Sequence, residues 1–173
     1  MKRIRLLLGI VFFCVIFGLV AFPELFLRNM VHRVCRRSLA YRRQSIAHGT
    51  VRWGDLVFRV SCWLMRITPH FRLPEMITSP AIIIANHRSA FDIAIMVTVL
   101  KRVGLTNTRW VIKAELAGAP AIGWMGRESG GVFVHRSKDP QDIARMRRGA
   151  EQAHEDRASV LLFPEGTRFT GAV

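Results

Sequence analysis

Between Pro74 and Phe163 four short apolar runs alternate with longer stretches that carry helix signals, and few architectures accept that pattern. The runs are Ala81 to Ala85, Arg109 to Ile112, Gly131 to Val134 and Ser159 to Phe163. Each has the length of a strand and is too short to be a helix of ordinary size. The intervening stretches read as helices. Ser89 caps an apolar segment from Ile93 to Leu100, and Ala114 to Gly126 is helical but interrupted by Gly118 and Pro120. Asp139 and Pro140, with Asp142 in the first turn, open a third helix that runs to about Arg157. Strands alternating with helices predict an α/β fold, a mainly parallel sheet flanked by helices, with ligands received at the carboxyl ends of the strands.

The first strand, bounded by Pro80 and Asn86, reads as fully buried, and it runs into Asn86-His87-Arg88-Ser89-Ala90-Phe91-Asp92. His87 therefore falls at a strand-to-helix turn, beside free helix N–H groups that favour anionic or oxyanionic groups. Asp92 has two readings. Ser89 and Asp92 form an S-x-x-D capping box that closes the first turn. The same carboxylate can instead reach the imidazole, hold it in one tautomer and stabilise its protonated form. A His–Asp pair without a serine partner takes its nucleophile from the substrate. Two further strand ends come to the same edge, at His135-Arg136 and at Pro164-Glu165-Gly166-Thr167-Arg168. Two arginines so placed can hold one phosphate, and Gly130, Gly131 and Gly166 would let the backbone approach it. The plainer alternatives are a solvated Arg136 and a surface turn at Gly166-Thr167.

The residues before Pro74 differ in kind. Leu6 to Pro23 carry no charge, follow Lys2, Arg3 and Arg5, and precede Glu24 and Arg28. Such a run reaches the lower limit for spanning a bilayer and predicts a membrane-anchoring helix. A cleaved signal peptide is the rival, weakened by the length of the run and the lack of a small-x-small site. Both flanks are basic, so a re-entrant helix would also satisfy the positive-inside tendency. Residues 28 to 72 then hold ten arginines against one acid, Asp55. Arg52, Arg59 and Arg66 recur every seventh residue among Trp53, Leu56, Val57, Val60, Trp63, Leu64 and Ile67, the pattern of an amphipathic helix with a basic rim. It lies on an anionic membrane surface, or it packs its apolar side on the domain that follows.

Composition agrees with lipid contact. A mean hydropathy of +0.22 is high for a soluble domain. The net charge of +14 favours anionic partners, and 22 of the 26 basic residues are arginine. No nucleic-acid recognition motif is visible, and arginines beside a membrane segment point to lipid rather than nucleic acid. Cys14, Cys35 and Cys62 are odd in number and widely spaced, which fits neither a disulfide framework nor a metal site. The division expected is residues 1–72 as membrane anchor and basic amphipathic helix, and residues 73–173 as the α/β domain.

The block from Asn86 to Asp92 resembles the N-H-x4-D motif of the glycerolipid acyltransferases, which include the 1-acylglycerol-3-phosphate (lysophosphatidic acid) acyltransferases. Gly130-Gly131-Val132-Phe133-Val134-His135-Arg136 is similar to that family's second block, and Phe163-Pro164-Glu165-Gly166-Thr167-Arg168 to its third. Lys113-Ala114-Glu115-Leu116 with Pro120 and Gly123 resembles the connecting segment. The resemblance implies that His87 is the general base on the acceptor hydroxyl, that Asp92 orients and charges it, and that Arg136 and Arg168 bind the acceptor phosphate. Glu165, Gly166 and Thr167 would shape the acceptor pocket. It implies lysophosphatidic acid as acceptor and acyl-CoA or acyl carrier protein as co-substrate, with no other cofactor and no metal. It also implies a pair of N-terminal helices at a membrane, and the compact arginine-rich plan resembles bacterial members of the inner membrane with the catalytic domain on the cytoplasmic side.

Family members usually continue through a further strand and a fourth, proline-containing block associated with the acyl donor, whereas this sequence stops at Val173. The α/β domain is therefore expected to be incomplete at its C-terminus, with an exposed sheet edge prone to self-pairing. Three functions follow from these readings: an O-acyltransferase making phosphatidic acid, or acylating another lysophospholipid or an aminolipid; an inactive membrane-binding remnant; and a hydrolase. The last is disfavoured, because no G-x-S-x-G elbow supplies a serine.

Overall fold

The structure, a computed structural model, describes Leu7, Gly9, Val11, Phe12 and residues 15–89, 91–135 and 140–164. A π-helical stretch, Phe17–Ala21, leads into α1 (Phe22–Val34) and then α2 (Leu39–Met65). After them come β1 (Ile82–Ile84), α3 (Phe91–Arg102), β2 (Thr108–Lys113), a 3-10 stretch Ala114–Gly118, α4 (Pro120–Glu128), β3 (Val132–Val134), α5 (Pro140–Glu155) and β4 (Ser159–Leu162). The interruption expected at Gly118 and Pro120 is real. Ala119 is extended and ends the 3-10 stretch, and Pro120 opens α4 at a position where a missing N–H costs nothing.

The strands run in the order β1-β4-β2-β3 and every pairing is parallel. Leu161 at the centre pairs with Ile83 on one side and Trp110 on the other. Leu161 belongs with Val51 of α2 and Leu100 of α3 to one buried cluster, against which Ile83 and Trp110 pack. Ile82 and Ile84 register with Val160 and Leu162 and so share the opposite face. There α5 lies over β3 and β4, so closely that a Cβ on Gly149 would overlap the Val132 side chain. The expectation of a fully buried first strand is therefore corrected: Ile82 is 72% and Ile84 66% exposed. Among the described strands β1 is an edge, and α5 does not reach across to it.

α2 lies antiparallel on α3: Gly54 meets Val97, Asp55 pairs with Lys101 at 2.5 Å, and the Phe58 and Phe91 rings stand 5.6 Å apart. It buries Ile46, Val51, Val57, Phe58 and Cys62 and leaves Arg52, Arg59, Arg66 and Trp63 outside. α1 is tied down by its polar residues. Glu24 pairs with Arg28 and accepts from Trp53 Nε1 at 3.0 Å, while Glu128 of α4 accepts from Asn29 at 2.9 Å and from Arg33 at 2.7 Å. No helix among the described residues is long and apolar enough to cross a membrane, so they do not supply the spanning helix expected near the N-terminus.

At the amino end of the sheet Arg109, 1% exposed, donates to Asp156 at 3.1 Å and to Asn107 at 3.1 Å, and Arg43 reaches the same Asp156 oxygen at 3.2 Å. Burial holds the Arg109 guanidinium below its ordinary value, and its bond to Asp156 offsets only part of that effect. Gly130 takes φ +77° here, and a Cβ on it would lie 3.0 Å from Arg109 Nε. A Cβ on Gly131 would press on the Gly126 carbonyl. Both glycines serve packing at the end of β3 remote from His87, which corrects their expected role beside a phosphate.

Candidate active site

β1 ends at Ile84 and α3 begins at Phe91, so the chain has six residues in which to turn. Asp92 organises that turn. Its Oδ2 accepts from the backbone N–H of Arg88 at 2.7 Å and of Ser89 at 2.8 Å, and from His87 Nδ1 at 3.0 Å. The Ser89 hydroxyl accepts from the Phe91 N–H at 3.1 Å and meets Asp92 Oδ1 at 3.3 Å. The carboxylate thus closes the first helical turn and holds the histidine through the same oxygen. A carboxylate only accepts, so Nδ1 carries the proton and the neutral ring has its lone pair on Nε2.

The surroundings keep this pair poised. Burial, the largest single influence, pushes the Asp92 carboxyl up, but the hydrogen bonds from Ser89, His87 and Arg88 outweigh it and hold the carboxyl below its ordinary value. The carboxylate therefore stays charged at neutral pH. The His87 side chain is 13% exposed, and the Phe163 ring stacks on it with centroids 4.5 Å apart and planes 28° from parallel. Phe163 follows β4, the neighbour of β1, so sheet order delivers it to the histidine. Sequence reasoning missed this contact. The only hint was an aromatic residue ending a strand at the same edge.

Two more strands end on this edge. Lys113, the last residue of β2, pairs with Glu115 at 3.1 Å. Hydrogen bonds from its own backbone N–H and from Lys113 hold the Glu115 carboxyl below its ordinary value. After β3 the His135 N–H donates to both oxygens of Asp142 in the first turn of α5, at 3.1 and 3.0 Å. Of the residues expected from the sequence, His87 and Asp92 are brought together. Arg136, Glu165, Gly166, Thr167 and Arg168 lie outside the described residues.

A family model described as Acyltransferase matches residues 66–172. A 1-acyl-sn-glycerol-3-phosphate acyltransferase of Saccharomyces cerevisiae is 36% identical over 89 residues, 51% of this chain and 28% of its own length. A lyso-ornithine lipid O-acyltransferase of Pseudomonas aeruginosa is 33% identical over 92 residues, 53% of this chain and 33% of its own length. The chain spans about a third of the length of these curated relatives. The crystal structure of the 1-acyl-sn-glycerophosphate (LPA) acyltransferase PlsC from Thermotoga maritima superposes on 98% of this chain and 64% of that one, with a TM-score of 0.65 and 20% identity. That likeness is one of fold.

Proposed function

Because the chain belongs to the Acyltransferase family, whose model covers residues 66–172, we propose that His87 and Asp92 transfer an acyl group from a thioester to the free hydroxyl of lysophosphatidic acid, giving phosphatidic acid. The observation that carries this reading is the His87 Nδ1 to Asp92 Oδ2 hydrogen bond of 3.0 Å at the carboxyl end of a parallel strand. The nearby Ser89 hydroxyl is engaged with the Phe91 N–H and Asp92. An acceptor hydroxyl therefore fills the place that serine takes in a hydrolase triad.

In the proposed reaction His87 Nε2 takes the proton from the acceptor hydroxyl as its oxygen attacks the thioester carbonyl. The new C–O bond gives a tetrahedral oxyanion, and the imidazolium is stabilised by the Asp92 carboxylate. Collapse breaks the C–S bond, and the thiolate takes the proton back from His87, so the histidine ends as it began. Acyl-CoA or acyl carrier protein is the donor, with no further cofactor. Arg136 and Arg168 bind the acceptor phosphate, and Glu165, Gly166 and Thr167 shape its pocket. The setting is the surface of a bacterial inner membrane, with the catalytic site facing the cytoplasm and membrane lipids, not nucleic acid, as partners.

A lyso-ornithine lipid acceptor is the second reading, favoured by the likeness to the Pseudomonas aeruginosa enzyme. The test is acyl transfer from a labelled thioester to lysophosphatidic acid and, in parallel, to lyso-ornithine lipid, with the wild-type chain and His87→Ala. Turnover lost about 10²–10⁴-fold in the variant is the expected result. Equal turnover in the two proteins would remove His87 from the chemistry, and a preference for lyso-ornithine lipid would replace the acceptor.

A further inference from the structure

α2 points its C-terminal end toward the edge where His87 stands, since it runs antiparallel to α3 and sets Phe58 against Phe91. Beyond Phe58, on the outer flank of α2, opens a cavity of about 740 Å³. Its lining includes three guanidinium groups, Arg59, Arg66 and Arg102, and three apolar side chains, Trp63, Leu64 and Ile67. Arg59 shares Asp55 with Lys101, at 3.3 and 2.5 Å, and Arg102 lies 4.5 Å over the Phe71 ring. Arg66 caps α2 in the left-handed region, φ +56°, and forms no ion pair among the described residues. Asp55 thus answers Arg59 and Lys101 from outside the cavity, while Arg66 and Arg102 add positive charge to a lining that holds no carboxylate among the described residues.

The apolar part of the lining does not turn inward. Trp63 is 76% and Ile67 46% exposed. Beside them runs more exposed apolar surface: a Cβ on Gly9 would lie 2.7 Å from Met65 Cγ, which places the N-terminal helical residues against the end of α2. Their side chains at Leu7, Val11, Val15 and Leu19 are all exposed and recur every fourth residue, so they share one face. A soluble phosphorylated ligand would gain nothing from such a rim. A phospholipid would: its phosphate meets the guanidinium groups while an exposed tryptophan and aliphatic side chains lie at the level of glycerol and acyl chains.

We propose that the cavity lined by Arg59, Arg66 and Arg102 binds the phosphate of an anionic membrane phospholipid, as a second lipid site apart from His87. This rests on the membrane setting proposed above but not on the acyl-transfer chemistry. Occupied, it would seat the end of α2 at the bilayer and hold the catalytic edge at headgroup depth.

The test is flotation with vesicles of phosphatidylcholine alone and of phosphatidylcholine mixed with phosphatidylglycerol. Removing three cations near a surface should weaken binding to the mixed vesicles about 100-fold in the triple variant Arg59→Gln, Arg66→Gln, Arg102→Gln. A charge-matched control away from α2, Arg147→Gln, Arg148→Gln, Arg157→Gln, should lose less than about 5-fold, and melting temperatures of both variants show that they are folded. The proposal is overturned by equal losses in the two triple variants, which would mean diffuse attraction. It is also overturned if coenzyme A in solution, followed by titration calorimetry, binds the wild type but not the cavity variant while the vesicles show no preference. Turnover in detergent on a short-chain acceptor separates the two ideas: the cavity variant keeps it, and His87→Ala loses it while binding vesicles like the wild type.

Discussion

Asp92→Asn removes the negative charge beside His87 while keeping the hydrogen bonds that place the ring. Oδ2 alone accepts from His87 Nδ1, Arg88 N–H and Ser89 N–H, and Oδ1 faces only the Ser89 hydroxyl. An asparagine amide turned the wrong way would set its NH₂ against three donors, so its oxygen is pinned at the Oδ2 position and its NH₂ falls on the hydroxyl, which can accept. The tautomer of His87 is therefore retained and only charge is lost. Two unit charges about 4 Å apart attract by ~1 kcal/mol in water and ~4 kcal/mol at an effective dielectric of ~20. With Asp92 22% exposed the site lies between these limits. Turnover should fall about 10- to 10³-fold, with stability within about 1 kcal/mol of the wild type. Asp92→Ala should fall further and lose about 1–2 kcal/mol, because the cap goes as well. The assay is acyl transfer at saturating substrates, with urea unfolding alongside. Unchanged turnover in the asparagine variant would show that the carboxylate is a cap only. A loss matching His87→Ala would show that the tautomer was not retained.

The buried ion pair and the Asp92 carboxyl give two further expected outcomes. Arg109→Met leaves Asp156 with Arg43 as its one remaining cation and should cost about 1–3 kcal/mol in urea unfolding, while the KM and kcat of the folded fraction stay unchanged because the pair stands at the opposite end of the sheet. The folded pKa of Asp92 lies below its unfolded value, so the stability it adds is complete above the ordinary carboxylate range and is lost as pH falls through the lowered folded value. Unfolding midpoints of wild type and Asp92→Asn should therefore differ at pH 7 and converge in acid, and a constant gap would refute the coupling.

Much of this was legible in local pattern. The four apolar runs became the four strands, Pro120 and Pro140 became first residues of helices, and the S-x-x-D spacing gave the capped turn. These features depend on residues within one turn of each other, where sequence acts directly on backbone geometry. Burial of β1 was misjudged for the opposite reason. Five apolar residues signal a strand, but whether its faces are covered depends on which strand pairs with it and where α5 lies. Likewise Gly130 and Gly131 read as phosphate neighbours until the sheet placed the first beside Arg109 and the second against the Gly126 carbonyl.

Local sequence was enough for the class of fold, the four strands, the break at Gly118 and Pro120, and the proximity of His87 to Asp92, five residues apart on one turn. The tertiary structure decided what stands around that pair. Parallel order β1-β4-β2-β3 puts Phe163 against the imidazole, buries Arg109 with Asp156 and Arg43, and lays α2 antiparallel on α3 so that three separated arginines share one cavity. Those contacts join residues tens of positions apart, and their free energy exists only once the strand order and helix packing have brought the chain back on itself.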